Sequence, residues 1–307
     1  MTNNNNVNSQ IKLSNSDSIY SFSLPSLNVR GKIVQLDKIL DDILTRHNYP
    51  QAVNNLIAEI ATLTSLLGAT LKFTGKLTIQ IRSEGAVNLV ICDFLSPNKI
   101  RAYARFNQEM LDEANTKNKL KSHELLGQGT LAITLTSNTN NKSYQGLIAL
   151  DGSSLEEIAK NYFIHSEQIP TYIRLAIKPK NEQQQLRAGG IFLQYMPNNS
   201  NQSDYASNSK ELWQEAETFA KTASDEELTD PNLSAERLLY RLFNEYEIEL
   251  FNPPLKLKFE CSCSKTYIEN LLKTFNKAEI DQSIENNKIT VTCDFCAETY
   301  EFDPKDF

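Results

Sequence analysis

The sequence predicts an α+β chain with a mixed strand and helix N-terminal domain, a helical linker and a small, cysteine-centred C-terminal module. Three observations predict it. Helical and two-residue apolar periods alternate in irregular order up to Tyr195; only helical stripes follow Pro197; and four of the five cysteines then fall in two tight pairs, Cys261-Ser262-Cys263 and Cys293-Asp294-Phe295-Cys296. The divisions expected are 1–197, 198–254 and 255–307. At 307 residues the chain is long enough for two domains, one with a substantial apolar core.

The elements follow in order. After an Asn- and Ser-rich start, Leu36, Ile39, Leu40, Ile43 and Leu44 recur at helical spacing, as do Val53, Leu56, Ile57, Ile60 and Leu67. Gly68 is placed to stop the second helix. Leu77, Ile79 and Ile81 share one side of a strand. Ile100, Ala102, Ala104 and Phe106 do the same further on, with Arg101, Tyr103 and Arg105 opposite, and Leu131, Ile133 and Leu135 form another. Ser153 and Glu156 make a capping box for a helix that ends before Pro170. Strands are expected around Tyr172 to Ile177 and Gly190 to Tyr195. Pro197-Asn198-Asn199-Ser200-Asn201 marks a boundary. Beyond it Leu212, Ala216, Phe219 and Ala220 form one apolar stripe, and Ala235, Leu238, Leu239, Leu242 and Phe243 a second. Ser224 and Glu227 offer a capping box between them, and Asp230-Pro231 interrupts. Helices this short are unstable alone and need a neighbour to pack on, so their order is conditional on the domains they touch. Pro253-Pro254 introduces the last segment, where Leu255, Leu257 and Phe259 alternate into Cys261. A helix is expected around Ile268 to Phe275, and a strand, Ile289 to Thr292, runs into Cys293.

The cysteine pairs carry the chemistry. Thiolates clustered this way signal a tetrahedral metal site or a redox switch, and a zinc held by Cys261, Cys263, Cys293 and Cys296 serves as both. Each pair supplies two ligands from a tight turn, at about 2.3 Å from the ion. Structural zinc contributes roughly 10–16 kcal/mol of apparent binding free energy, whereas a whole domain is stable by only about 5–15 kcal/mol. This zinc-binding module is therefore expected to fold with the metal and unfold without it, which makes thiolate oxidation a folding switch. Cys92, inside the apolar run Val87 to Leu95, reads as a core residue.

Composition narrows the alternatives. A net charge of −7 and a pI near 5.2 argue against a nucleic-acid partner. A zinc-ribbon nucleic-acid module is the main rival, but the stretch from Glu260 onward is acidic and is expected to lack interleaved Arg and exposed aromatics. The polar N-terminus is not a signal peptide and no apolar run is long enough to span a bilayer, so the expected compartment is the reducing cytoplasm and no membrane partner is expected. Enzyme readings fare poorly. His165-Ser166-Glu167 mimics the H-x-E of zinc deaminases without the following Pro-Cys-x-x-Cys. The run from Gly68 to Gly75-Lys76 has the wrong spacing for a phosphate loop, and Leu77 stands where Ser or Thr is needed. Cys293-Asp-Phe-Cys296 follows a strand rather than opening a thioredoxin-like helix.

Taken together, Glu260-Cys261-Ser-Cys263-Ser264, Thr292-Cys293-Asp-Phe-Cys296, Tyr144-Gln145-Gly146, Ser166 to Thr171, Ala188-Gly189-Gly190 to Met196-Pro197 and Ile100 to Arg105 resemble the heat-shock protein 33 family of redox-regulated chaperones over nearly the whole chain. The resemblance implies a non-enzymatic, ATP-independent holdase. The reduced form would be an inactive monomer with one zinc on Cys261, Cys263, Cys293 and Cys296. Peroxide with heat, or hypochlorous acid, would form Cys261–Cys263 and Cys293–Cys296 disulfides and release the zinc. Module and linker would then unfold and expose apolar surface to unfolding client proteins, the active form being a homodimer. The sequence departs from the family in its longer Asn-rich start and in Asn/Gln-rich stretches at Asn138 to Asn141 and Asn181 to Gln185, none of which touches the cysteines.

Overall fold

The computed structural model describes residues 16–71, 74–139, 142–182, 184–196 and 205–307. The Asn-rich start, the Pro197 to Asn201 boundary and parts of both Asn/Gln-rich stretches lie outside them. In chain order the first elements are β1 (Ser18–Leu24), β2 (Val29–Leu36), α1 (Lys38–Leu44), α2 (Gln51–Gly68), β3 (Gly75–Ser83), β4 (Val87–Leu95) and β5 (Lys99–Phe106). Next come α3 (Gln108–Thr116), α4 (Ser122–Leu126), β6 (Gly129–Ser137), β7 (Ser143–Leu150), α5 (Leu155–Tyr162), β8 (Thr171–Lys178) and β9 (Arg187–Tyr195). Helices α6 (Tyr205–Lys221), α7 (Asp225–Thr229) and α8 (Ala235–Phe243) then lead to β10 (Glu249–Lys256) and β11 (Lys258–Phe259). The chain ends with α9 (Lys265–Leu272), α10 (Lys277–Gln282), β12 (Ile284–Glu285), β13 (Lys288–Thr292) and β14 (Thr299–Phe302).

Two large sheets enclose α2. The first has the order β10-β1-β2-β9-β8 and is antiparallel throughout; the second runs β11-β5-β4-β3-β6-β7, with only β11 parallel to its neighbour. A helix between two sheets must be apolar on both sides, and α2 is buried almost all round from Leu56 to Gly68. Its Thr62 and Ser65 hydroxyls donate back to the carbonyls of Ala58 and Ala61 at 2.8 and 2.7 Å, so their burial costs little. Gly68 is the last residue of α2, but not because the chain needs a left-handed stop there. A Cβ on Gly68 would run into the Phe94 ring of β4, so the residue is small for packing.

The alternation expected of the strands sorts the first sheet into two faces. Ile19, Val34, Ile173, Leu175 and Phe192 face α2, while Tyr20, Phe22, Ile33, Tyr172, Ile191 and Leu193 face away from it. That second face is covered by α6, α7 and α8, through Ala216, Ala220, Leu228, Leu238, Leu239, Leu242 and Phe243. Both stripes expected after Pro197 therefore have the partner that short helices require. The approach is close enough that a Cβ on Gly189 of β9 would strike the carbonyl of Leu228 in α7. Trp213 packs half-buried at the margin of the same cluster.

Two local expectations shift. The capping box of α5 is Ser154 with Glu157, one residue beyond Ser153 and Glu156, because Asp151 accepts a bond from the Ser153 amide and closes a turn before the helix. Ser224 and Glu227 do cap α7 as expected. Pro253 and Pro254 lie within β10, which pairs with β1 at the edge of the first sheet, where a missing N–H can point away from the ladder.

Candidate metal centre

Residues 249–259 join the sheets to the cysteines. After β10 completes the first sheet, Leu257 donates its amide to the Asp17 carbonyl at 2.7 Å and buries its side chain in the main core. Lys258 and Phe259 then pair with Lys99 and Ile100 of β5 in the second sheet. Cys261 and Cys263 follow directly, in the turn that leads to α9, whose third amide, that of Tyr267, is capped by the Ser264 hydroxyl at 3.1 Å. Cys293 and Cys296 sit at the tip of the β13–β14 hairpin. There the Ala297 amide donates to the Cys293 carbonyl at 2.8 Å, and Ala297 takes a left-handed φ of 55°, an unfavourable conformation for alanine that the turn imposes.

These two turns bring the four sulfurs together, all within 4.8 Å of one another. The Cys261–Cys293 separation is 3.6 Å and the Cys263–Cys296 separation 3.3 Å. Ligands at about 2.3 Å on a tetrahedral ion lie about 3.8 Å apart, so the cluster fits one zinc. The thiol chemistry fits as well. For Cys261, burial works against ionisation, but the Cys263 amide and the neighbouring thiols outweigh it and bring the pKa down to about 7. Burial pushes Cys293 and Cys296 the other way, Cys296 strongly. Cys261 ionises readily while Cys293 and Cys296 resist becoming charged beside it, an obstacle that a bound dication removes. Tyr300 supports the cluster from β14, its hydroxyl 3.3 Å from Cys263 Sγ. Cys92, by contrast, is fully buried in β4 with its thiol pushed up to about 12 by burial; it belongs to the core and stays away from the cluster.

The module has little else to hold it. Its own core is Ile268, Leu272, Ile280, Ile289 and Phe302. It contains no arginine, but Tyr267 and Phe275 are 62% and 41% exposed, which corrects the expectation that exposed aromatics are absent. His165, on a short π turn, is exposed and is not part of the four-sulfur cluster.

Sequence reasoning placed the sulfurs but missed what they rest on. The outer face of β5, noted only as the side opposite its apolar residues, is the dock. Arg101 donates to the Ser262 hydroxyl at 2.7 Å, lies 3.6 Å from Cys261 Sγ, and stacks its guanidinium 4.0 Å from the Phe295 ring centre. Tyr103 meets the same ring edge-on at 4.7 Å, and Arg105 pairs with Asp294 at 2.8 Å. Lys99 pairs with Glu260, and His47 Nε2 is 3.3 Å from the Phe295 carbonyl. Arg, Tyr and Arg at alternate positions of one strand were the available signal.

With this geometry in hand, similarity to known proteins is decisive. Residues 17–303 match the Hsp33 protein family. The chain belongs to the Hsp33 family. Its relatives include the 33 kDa chaperonin of Caulobacter vibrioides, 34% identical over 294 residues covering 94% of this chain and 95% of that one. The 33 kDa chaperonin of Shewanella loihica is 35% identical over 291 residues, with 94% of each chain covered. The crystal structure of the Thermotoga maritima Hsp33 homologue shares the fold, with a TM-score of 0.77 at 19% identity over 94% of this chain and 96% of that one. Hsp33 proteins are chaperones and not enzymes, which agrees with the resemblance read from the cysteine motifs. Among the described residues no helix is long and apolar enough to cross a membrane.

Proposed function

We propose that the protein is a redox-regulated, ATP-independent holdase of the cytoplasm, zinc-bound and inactive when reduced. The observation that carries this reading is the direct run of chain from the linker helices, which cover the apolar outer face of the first sheet, through β10 and β11 into the four-sulfur cluster. Cys261, Cys263, Cys293 and Cys296 hold the zinc, which lends the small module the stability that its five-residue core cannot supply. On oxidation the four thiolates give up four electrons as two disulfides form. Two equivalents of peroxide accept them and, with four protons, leave as water. The pairing Cys261–Cys263 and Cys293–Cys296 comes from the family resemblance; with all four sulfurs within 4.8 Å of one another, the sulfur separations do not select a pairing. With no sulfur ligands left the zinc departs and the module unfolds. Loss of β10 and β11 then loosens the linker, and the face lined by Tyr20, Phe22, Ile33, Ile191 and Leu193 becomes available to unfolding proteins, with the oxidised protein acting as a homodimer.

The test is zinc release measured alongside suppression of aggregation of a thermally unfolding client, before and after peroxide and without nucleotide. Zinc leaving as holding activity appears, both reversed by a thiol reductant, is the expected result. Zinc retained with no activity would reduce the cysteines to a structural clip. Trp213 gives a second readout: its emission should shift toward that of a solvated indole as the linker detaches, and an unchanged spectrum would sink the linker step.

A further inference from the structure

We infer that Arg101 is a positioning residue that ties the charge of the thiolate cage to the core, so that docking of the module on β5 depends on cage charge and not only on module folding. The inference rests on the redox-switch reading above and assigns it a residue outside the cysteine module.

Arg101 stands at the end of a polar ladder across three adjacent strands. Thr78 of β3, Asp93 of β4 and Arg101 of β5 are direct cross-strand neighbours. Asp93 is only 2% exposed, and its carboxylate accepts the Thr78 hydroxyl at 2.6 Å. It also accepts Arg101 Nε and Nη2 at 2.9 and 2.7 Å, and Lys76 lies 3.9 Å away. That two-point fork fixes the guanidinium plane against the sheet. Its remaining arm, Nη1, is left to face the module, where it meets Ser262 and Cys261 from the first cysteine pair. The flat face of the same guanidinium lies on Phe295 from the second pair. One side chain therefore touches both halves of the cage while anchored to a buried acid.

The other charged contacts of the dock are of a different kind. Lys99–Glu260 and Arg105–Asp294 join exposed groups whose charges are the same in both redox states. Among the described contacts, Arg101 is the cation that meets a group whose charge oxidation removes. Four thiolates around one dication carry a net charge of −2; two disulfides carry none. Each disulfide that forms erases two thiolate charges, and Arg101 is left with Asp93 alone.

The experiment uses the full reduced, zinc-loaded chain and hydrogen exchange at the amides of Leu257 and Lys258, which bond to Asp17 and Asn98 at the dock. The D93N/R101Q pair removes both charges yet leaves a hydrogen-bonded polar pair in the sheet. It should keep its zinc while those amides exchange roughly ten- to a hundredfold faster, the range for losing a hydrogen bond to a charged group. In the parent chain this exchange should quicken with added salt, and in D93N/R101Q the dependence should be shallower, the remainder coming from Lys99–Glu260 and Arg105–Asp294; a purely structural effect would leave the salt slope unchanged. R101K, which keeps the charge but cannot fork to Asp93 and reach Cys261 together, should fall between the two. Should D93N/R101Q fail to fold, R101K decides alone. Unchanged exchange in a folded, zinc-bound variant overturns the inference, while a parent chain that never holds zinc overturns the switch reading instead.

Discussion

Two pieces of chain cover the two large sheets, and they are held by opposite physics. The linker helices sit on the first sheet through apolar side chains, with Leu228, Leu238, Leu239 and Phe243 at most 1% exposed. Each fully buried side chain of this kind stabilises by about 1.5–3 kcal/mol. Ion pairs such as Arg241–Glu227 and Arg174–Asp225 only rim that contact. The cysteine module sits on the second sheet through Arg101, Tyr103, Arg105 and Lys99, with a single aromatic ring, Phe295, at the centre. The lesson is a division of labour. An oxidant cannot change an apolar contact, but it can change the charge and shape of a thiolate cage. Under the proposed switch the polar dock is the one that oxidation would disturb, and the apolar dock would respond because residues 249–259 bind the two together.

The largest expected effect comes from removing a sulfur. Cys261→Ser or Cys293→Ser should abolish high-affinity zinc binding and leave the module unfolded, since roughly 10–16 kcal/mol of metal-linked stabilisation is at stake. Zinc content by a chromogenic chelator and module dispersion by NMR measure it, and a full complement of zinc in either variant would break the comparison at its root. Next comes the apolar dock. Phe243→Ala should weaken linker docking by about 3–5 kcal/mol and release the linker without oxidation and with zinc still bound. Holding activity in the reduced, zinc-replete variant checks this; its absence would mean that the linker does not guard the apolar face.

The core offers a reference that neither dock should follow. Glu59 of α2 is half-buried with the Ser122 hydroxyl as its partner, and desolvation raises its pKa to about 7 from an ordinary value of 4.5. A raised acid binds protons in the folded state that the unfolded chain has already lost. Stability contributed by the neutral form is therefore intact below about 4.5 and declines as pH rises toward about 7, by about 3 kcal/mol in all. Glu59→Gln should flatten that slope, read from urea midpoints between pH 4 and 8. A slope unchanged by the substitution would remove Glu59 as its source. The smallest effect belongs to Phe295→Ala, which deletes one cation–π and one edge-on contact, worth about 1–2 kcal/mol together. Chelator-driven zinc release should speed up by roughly five- to thirtyfold, and a larger change would mean that the ring also shapes the cage.

How legible all this was in the sequence varied with the range of the interaction. The apolar periods of α2, β3, β5 and β6 and the stripes of the linker were plain, because a residue's own neighbours set them. The cage was plain as well, since cysteines at two- and three-residue spacing have few other uses. Ser153 against Ser154 was beyond reach, as both have a glutamate three residues on and only the Asp151 turn chooses between them. Gly68 looked like a helix stop because nothing local announces Phe94. The dock was hidden for the same reason: Asp93 lay inside the apolar run Val87 to Leu95, and Arg101 stood only opposite the apolar residues of its strand, until pairing set them side by side and brought Cys261 onto them from far along the chain.

Strands β10 and β11 have one more consequence. They are the terminal members of their two sheets, and each caps a neighbour, β1 or β5, that would otherwise present bare amides and carbonyls. When residues 249–259 let go, both sheets gain a raw edge beside a freshly uncovered apolar face. Such an edge accepts an extended backbone of any sequence, its own kind included. The same eleven residues that would gate the chaperone in the proposed switch thus also cover both edges against self-association, and rezipping them would be as much a safeguard for the cell as an off switch.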